Sequence, residues 1–107
     1  MKRLSKQYRL HFTKKEKITS DVYIFYFSKP RDFSFYAGQY LQLVLPHVEA
    51  DAGGTQRFFT ITSAPSEQYI MLTTKKTESS FKRKLFTLKK GEELQCFGPM
   101  GRFIVES

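Results

Sequence analysis

The chain has no tryptophan, one cysteine and two histidines, and each scarcity removes a class of chemistry. A single thiol, Cys96, cannot close an internal disulfide, build a cysteine-rich metal site or hold an iron–sulfur cluster. His11 and His47 lie too far apart in sequence to read as a metal-ligand pair. No Ser-His-Asp or Cys-His arrangement can be specified from them either. Cys96 alternates with Leu94, the pattern of a buried structural thiol rather than a reactive one. His47 follows Pro46 and reads as a loop residue. No run of roughly eighteen apolar residues is present to span a membrane. The opening MKRLSKQYRLHF is basic and lacks the apolar stretch of a signal peptide. The expectation is a cytoplasmic domain with no catalytic side chain and no metal, in which any chemistry is carried by a bound cofactor.

The chain does have aromatic and positive residues in quantity. Eleven Phe and six Tyr in 107 residues, with 40% hydrophobic residues, make it too apolar for a disordered chain. The length suits one domain with a modest core. The formal net charge is +8, and the basic residues fall in two blocks: seven of eighteen lie between Lys2 and Lys17, and seven more between Lys75 and Lys90. Such blocks attract polyanions. They can face RNA, an acidic protein, a membrane surface or a phosphorylated ligand, or they can be ordinary solvated surface.

Hydrophobic periodicity predicts mostly strands. Tyr8, Leu10 and Phe12 alternate in a first strand. Val22 to Phe27 (VYIFYF) reads as a strand covered on both faces. Pro30 and Gly38 bracket a loop, and Gly38 supplies a turn. Leu41, Leu43 and Leu45 share one face of a strand that Pro46 ends, and EADAGG forms a flexible loop. Strands over Phe58–Thr62 and Tyr69–Thr74 follow. The period then changes: Phe81, Leu85 and Leu88 share one helical face, predicting a helix from about Ser80 to Leu88. Ser79 or Ser80 would cap it, and Gly91 would stop it. ELQCF reads as another strand, GPMG as a turn, and FIV as the start of a last strand. Connections this short exclude βαβ units. The predicted fold is all-β: a six-stranded antiparallel Greek-key barrel with one capping helix between its last two strands.

Two features point to a phosphate-bearing ligand. Arg57, at the start of its strand, offers a planar fork suited to phosphate oxygens. In TESSFKR, residues 77 to 83, serines open a helix whose first N–H groups lack intrahelical partners and so favour anions. Lys82 and Arg83 in the first turn oppose the helix dipole unless an anion sits there. The alternative is internal: Arg57 pairs with Glu67 or Asp51, and the serines are ordinary caps. A second alternative is a basic β-barrel binding RNA or single-stranded DNA, with Tyr23, Phe25 and Tyr40 stacking on bases. Against it, those aromatics sit in strands that read as core, and the lysines do not interleave with them.

The order of the segments resembles the FAD-binding domain of the ferredoxin–NADP reductase family of flavin-dependent NAD(P)H oxidoreductases. An apolar strand, a proline, a loop and G-Q-Y/F match FYFSKPRDFSFYAGQYLQL. The flavin motif R-x-Y/F-S/T matches Arg57-Phe58-Phe59-Thr60, continuing into ITSAP. The pattern S-x-F-K-x-x-L, then L-x-x-G-D/E and G-P-x-G-x-F, matches SSFKRKLFTLKKGEELQCFGPMGRF. The resemblance covers essentially residues 1–107. It implies FAD as cofactor, with Arg57 on the pyrophosphate, Phe59 packed against the flavin or its ribityl chain, and Phe58 and Thr60 beside them. Thr73, Thr74 and Lys75 would border the flavin through backbone contacts, and Ser80, Phe81 and Lys82 would cradle the phosphates. Many relatives have tyrosine where Phe59 stands, and a Gly-x-x-Ser/Thr turn where Ser79 and Lys82 stand. A nicotinamide-binding domain follows this barrel in the family, and the expectation is that this chain is the barrel without it. The implied function is the flavin-binding part of an enzyme passing electrons from NAD(P)H to an acceptor. The chain alone is not expected to be fully active, and its positive surface could dock an acidic redox partner.

Overall fold

Alternating apolar residues settle into strands wherever one face can be covered. The computed structural model describes residues 6–101 of the chain. Among the described residues there are six strands, β1 (Gln7–Lys17), β2 (Val22–Ser28), β3 (Tyr40–Val44), β4 (Gln56–Thr60), β5 (Tyr69–Lys75) and β6 (Glu93–Met100), and one helix, α1 (Ser80–Leu85), which falls between β5 and β6 in the chain. The sheet order is β4-β3-β6-β1-β2-β5, and every pairing is antiparallel. β1–β2 and β3–β4 are hairpins, whereas β2→β3 and β4→β5 cross from one half of the sheet to the other, as Greek-key connections do. The barrel stays open. Its edge strands meet at one antiparallel bridge, Ile61 to Leu72, with the Thr62 N–H donating to the Met71 carbonyl at 2.8 Å.

The alternation in the sequence is the alternation of burial. Leu10 and Phe12, then Leu41, Leu43 and Leu45, line a single core with Phe25, Phe27, Ile70, Leu72, Leu94 and Cys96. β1 shifts register between Phe12 and Lys14, so one long strand serves β6 with its first half and β2 with its second. β2 differs from expectation. Phe25 and Phe27 are buried but its other residues are only half-buried, because the outer face is covered by side chains rather than by a second layer. There the Tyr26 hydroxyl donates to Glu16 Oε1 at 2.7 Å, and Lys14 Nζ stands 4.6 Å from the Tyr26 ring centre.

Three boundaries move. β4 begins at Gln56, so Arg57 lies inside the strand, opposite Leu43. α1 ends at Leu85 rather than Leu88. The Thr87 and Leu88 amides turn back to the Lys84 and Leu85 carbonyls at 3.0 and 3.3 Å. The Thr87 hydroxyl also donates to the Lys84 carbonyl at 2.7 Å, a local bond that competes with helix continuation. Phe81, Leu85 and Leu88 are nonetheless all buried, as the helical face requires. Gly91, with φ +91°, therefore serves the turn into β6 rather than the helix stop, and its N–H donates to the Phe12 carbonyl at 2.8 Å. β6 runs on through Gly98-Pro99-Met100, where a turn was expected. Gly98 is at φ +145°, and a Cβ there would meet Leu41 Cβ at 3.2 Å, so only glycine lets the two strands approach this closely. The expected FIV strand lies outside the described residues.

The 29–39 connection is a loop, as Pro30 and Gly38 suggested, and Gly38 takes φ +92°. Its Phe33 and Phe35 are buried, with Phe33 edge-on to Tyr8 at 4.8 Å. Among the described residues no helix is long and apolar enough to cross a membrane.

Candidate functional site

The seam between the sheet edges opens into a groove of about 480 Å³, lined by Arg57, Phe58, Phe59, Thr60, Thr73, Thr74, Thr77, Ser79 and Lys82. β4, β5 and the start of α1 all contribute. Seven of the ten residues expected from the sequence thus converge, joined by Thr77 and Ser79, which lie in the TESSFKR stretch that reads as phosphate-binding but were not singled out as cofactor contacts. Among the described residues the lining holds two cations, five hydroxyl-bearing side chains, two aromatic rings and no carboxylate.

Arg57 carries the most structure. Its Nη1 donates to the carbonyls of Gly53, Gly54 at 3.5 Å and Gln56 at 3.1 Å. Of the two carboxylates considered from sequence, Asp51 is the one that approaches, with Oδ1 at 3.8 Å from Nη2. The guanidinium also lies over the Phe81 ring, 5.2 Å from its centre. Lys82 is half-buried beside it, and its Nζ donates to the Lys75 carbonyl at 2.7 Å. Loss of solvent, and then the Arg57 charge, hold the Lys82 ammonium below the ordinary lysine range. Two cations crowd a groove whose described lining holds no carboxylate, the exposed Asp51 reaching Arg57 only at 3.8 Å, an arrangement that an anion relieves.

The aromatic pair divides by strand alternation. Phe59 faces inward beside Leu41 and packs on Phe81, ring centres 6.0 Å apart, so that little of it is exposed to the groove. Phe58 points outward, is 59% exposed and meets the Tyr40 ring edge-on at 5.6 Å. Thr60 is exposed, and so is Thr73, whose hydroxyl pairs with that of Thr62 at 3.0 Å.

Three expected residues do not present side chains to the groove. Lys75 extends to Asp21 at 3.7 Å and acts locally through its carbonyl. Phe81 is fully buried. The buried Ser80 hydroxyl accepts the Asp51 N–H at 2.9 Å and lies 3.0 Å from His47 Nε2. In return the Ser80 N–H donates to Asp51 Oδ2 at 2.9 Å. Ser79 caps the helix by accepting the Lys82 N–H at 3.2 Å. The amides of Ser80 and Lys82 are therefore spent inside the protein. Backbone bonds from Ser80 and Gly53 are the main reason the Asp51 carboxyl sits below the usual carboxylate range. From sequence, His47 reads only as a loop residue and Asp51 only as an internal partner for Arg57; their bonds to Ser80 were not expected. Their partners lie across the fold, a relation that no local pattern reveals.

Cys96 is fully buried and unpaired, and burial pushes its thiol up to about 12, as befits a structural residue.

Comparison with known structures gives the same architecture. The cytochrome b5 reductase domain of Ulva prolifera nitrate reductase superposes with a TM-score of 0.74 at 23% identity, over 90% of this chain and 40% of its own. A ferredoxin NADP+ reductase from Neisseria gonorrhoeae, with bound FAD and NADP, gives 0.73 at 15% identity, over 94% and 39%. The CS-b5R domains of human Ncb5or give 0.75 at 19% identity, over 97% and 32%. The chain thus spans two fifths or less of these neighbours, and at such identities they report the fold. No curated protein sequence matches. Residues 9–104 match the family model of the oxidoreductase FAD-binding domain, and with the match covering nearly the whole chain, the protein belongs to that family.

Proposed function

We propose that the groove between β4, β5 and α1 holds FAD, and that the domain is the flavin-binding part of an NAD(P)H-dependent oxidoreductase passing electrons to an acceptor. One observation carries the reading: Arg57 and Lys82 converge, without a carboxylate in the lining, on a groove walled by aromatic rings and hydroxyls. The residues fit the cofactor's chemistry. A dianionic pyrophosphate answers the two cations, and a flat apolar ring answers the exposed Phe58, with the little of the Phe59 ring that reaches the groove beside it. FAD, when bound, supplies the hydride and electron chemistry.

The chain's own residues bind and orient. Arg57 is assigned to the pyrophosphate, with Lys82 as a second charge. Thr60, Thr73 and Thr74 offer hydroxyl and backbone groups along the wall, and the Lys75 carbonyl sets the Lys82 ammonium. Ser80 and Phe81 act from beneath, as the frame on which the phosphate-facing residues rest. A neighbour of the same fold carries bound FAD and NADP, which supports a nicotinamide-binding domain as the partner in a complete enzyme. The positive surface suits an acidic redox partner protein. We place the domain in the cytoplasm, in keeping with a lone free cysteine.

The nucleic-acid reading loses its platform. Phe25 is buried, Tyr23 packs edge-on against Phe86 at 4.8 Å, and Tyr40 against Phe58. Several of the cations are occupied, with Lys6 on Asp32 at 3.0 Å, Arg9 on Glu93 at 3.5 Å and Lys75 on Asp21. Titration of the purified domain into FAD, followed by flavin fluorescence, tests the proposal. Saturable quenching at micromolar concentration is expected. Absence of binding at high micromolar FAD would leave a barrel without its ligand, and salt-sensitive capture of single-stranded RNA instead would restore the rival.

A further inference from the structure

The 51–54 loop bears on the site from outside the groove. It is fastened at Asp51 by reciprocal bonds with Ser80, N–H to Oγ and N–H to Oδ2, each 2.9 Å. Within the loop, the Gly53 N–H donates to Asp51 Oδ1 at 2.9 Å and the Gly54 N–H to the Asp51 carbonyl at 2.9 Å. These bonds turn the Gly53 and Gly54 carbonyls toward Arg57 Nη1. The guanidinium fits so closely against Gly53 that a Cβ there would stand 2.0 Å from Nη2 and 2.6 Å from Cζ. The Phe81 ring provides a floor, and the remaining side of the guanidinium faces the groove.

We infer that Asp51 and Gly53 form a seat that positions the Arg57 guanidinium for a phosphate group: Asp51 is a positioning residue, and Gly53 is the gap into which the fork fits. The inference rests on the reading that the groove holds FAD. Its physical content is preorganisation. A long, rotamer-rich side chain that is already ordered loses less freedom when the ligand arrives. Asp51 is suited to aim Arg57 without satisfying it. At 3.8 Å, with 45% of its side chain exposed, it makes a weak ion pair, whereas a phosphate can take the fork through two short charge-assisted bonds. The opposing possibility is that Asp51 is an internal anion competing with the ligand. The two predict changes of opposite sign.

The test is an FAD titration of the wild-type domain and of Asp51→Ala, Asp51→Asn and Gly53→Ala, each also combined with Arg57→Ala, with the melting temperature of every apo protein. Asp51→Ala and Gly53→Ala should each weaken FAD binding by roughly tenfold, the scale of a lost supporting contact. Asp51→Asn, which keeps an oxygen for the loop and helix amides, should lose less. In the Arg57→Ala background none should change affinity further by more than about twofold, since the seat then holds nothing. A loss that persists in that background would mean these residues act elsewhere, and would overturn the inference. Unchanged or tighter binding in a folded Asp51→Ala or Gly53→Ala domain would overturn it as well. If the alanine variants do not fold, Asp51→Asn decides by the same comparison. A wild-type domain that fails to bind FAD removes the functional reading itself. Wild-type binding with unaltered variants removes only the seat.

Discussion

Arg57→Ala separates a ligand contact from an internal one, and the structure allows both halves to be sized. Toward the ligand, the substitution deletes a fork able to make two charge-assisted bonds, each worth about 1.5–3 kcal/mol. The side chain is 27% exposed, so the lower end applies and the total is about 3 kcal/mol. At about 1.4 kcal/mol per decade, FAD affinity should fall roughly a hundredfold. Toward the protein, the guanidinium contributes a cation–π contact with Phe81 of about 0.5–1 kcal/mol, an exposed ion pair of about 0–1 kcal/mol, and bonds to three carbonyls that water can replace. The apo domain should therefore lose about 1 kcal/mol, or about 4–8 °C in melting temperature, and remain folded. Arg57→Lys should recover about a tenth of the wild-type affinity, because a point charge lacks the planar fork. Flavin fluorescence titration and thermal melting of the apo proteins measure the two quantities on the same samples. A large loss of apo stability with unchanged FAD affinity would show that Arg57 serves only the fold, and would remove the central residue of the site.

Lys82→Ala should weaken FAD by roughly tenfold, less than Arg57→Ala, since one unforked charge is lost. Because desolvation and Arg57 hold the Lys82 ammonium below the ordinary lysine range, the folded apo domain releases this proton before the unfolded chain does. Its charged form thus destabilises the fold below the folded pKa, and the penalty fades as pH rises toward the unfolded pKa. An anion in the groove shifts the equilibrium back, so FAD binding at alkaline pH should take up protons and weaken as pH rises. Calorimetry in two buffers of different ionisation enthalpy measures the uptake, and its absence in Lys82→Ala identifies the group. Ser79→Ala removes the helix cap and should cost about 1 kcal/mol of stability, read as a lower melting temperature. Cys96, fully buried with its thiol raised to about 12, should resist thiol reagents in the folded domain and react only on unfolding.

The parts of the fold that read correctly from the sequence are those whose signal is local. Leu41, Leu43 and Leu45 alternate because one face of β3 is core, and Phe81, Leu85 and Leu88 recur at helical spacing because one face of that segment is core. What the sequence left unread or misread arises where distant chain segments decide. Phe33 and Phe35 lie in a loop without periodicity, and their burial comes from packing on the core and, for Phe33, on Tyr8. Gly98-Pro99 has the signature of a turn, yet pairing with β3 keeps it in a strand. For the proposed site, Arg57, Thr60 and Lys82 were singled out because their residue types suit phosphate and flavin in a recognisable order, and they do line one groove. The supporting bonds were not. Ser80 reaches Asp51 and His47 across 29 and 33 residues, a separation no spacing rule spans.

The single Ile61–Leu72 bridge has a consequence for motion. A sheet opens most easily where its ladder is shortest, and here that is the join between β4 and β5. The groove straddles the same join, with Phe58, Phe59 and Thr60 on one bank and Thr73 and Thr74 on the other. A ligand spanning both banks would act as the crosspiece the backbone omits, and its binding energy would be felt first as resistance to local opening. Amide hydrogen exchange along β4 and β5 should therefore slow far more on adding FAD than exchange in β6, which β1 and β3 flank on both sides. The gap in the barrel is then what couples the cofactor to the cohesion of the domain.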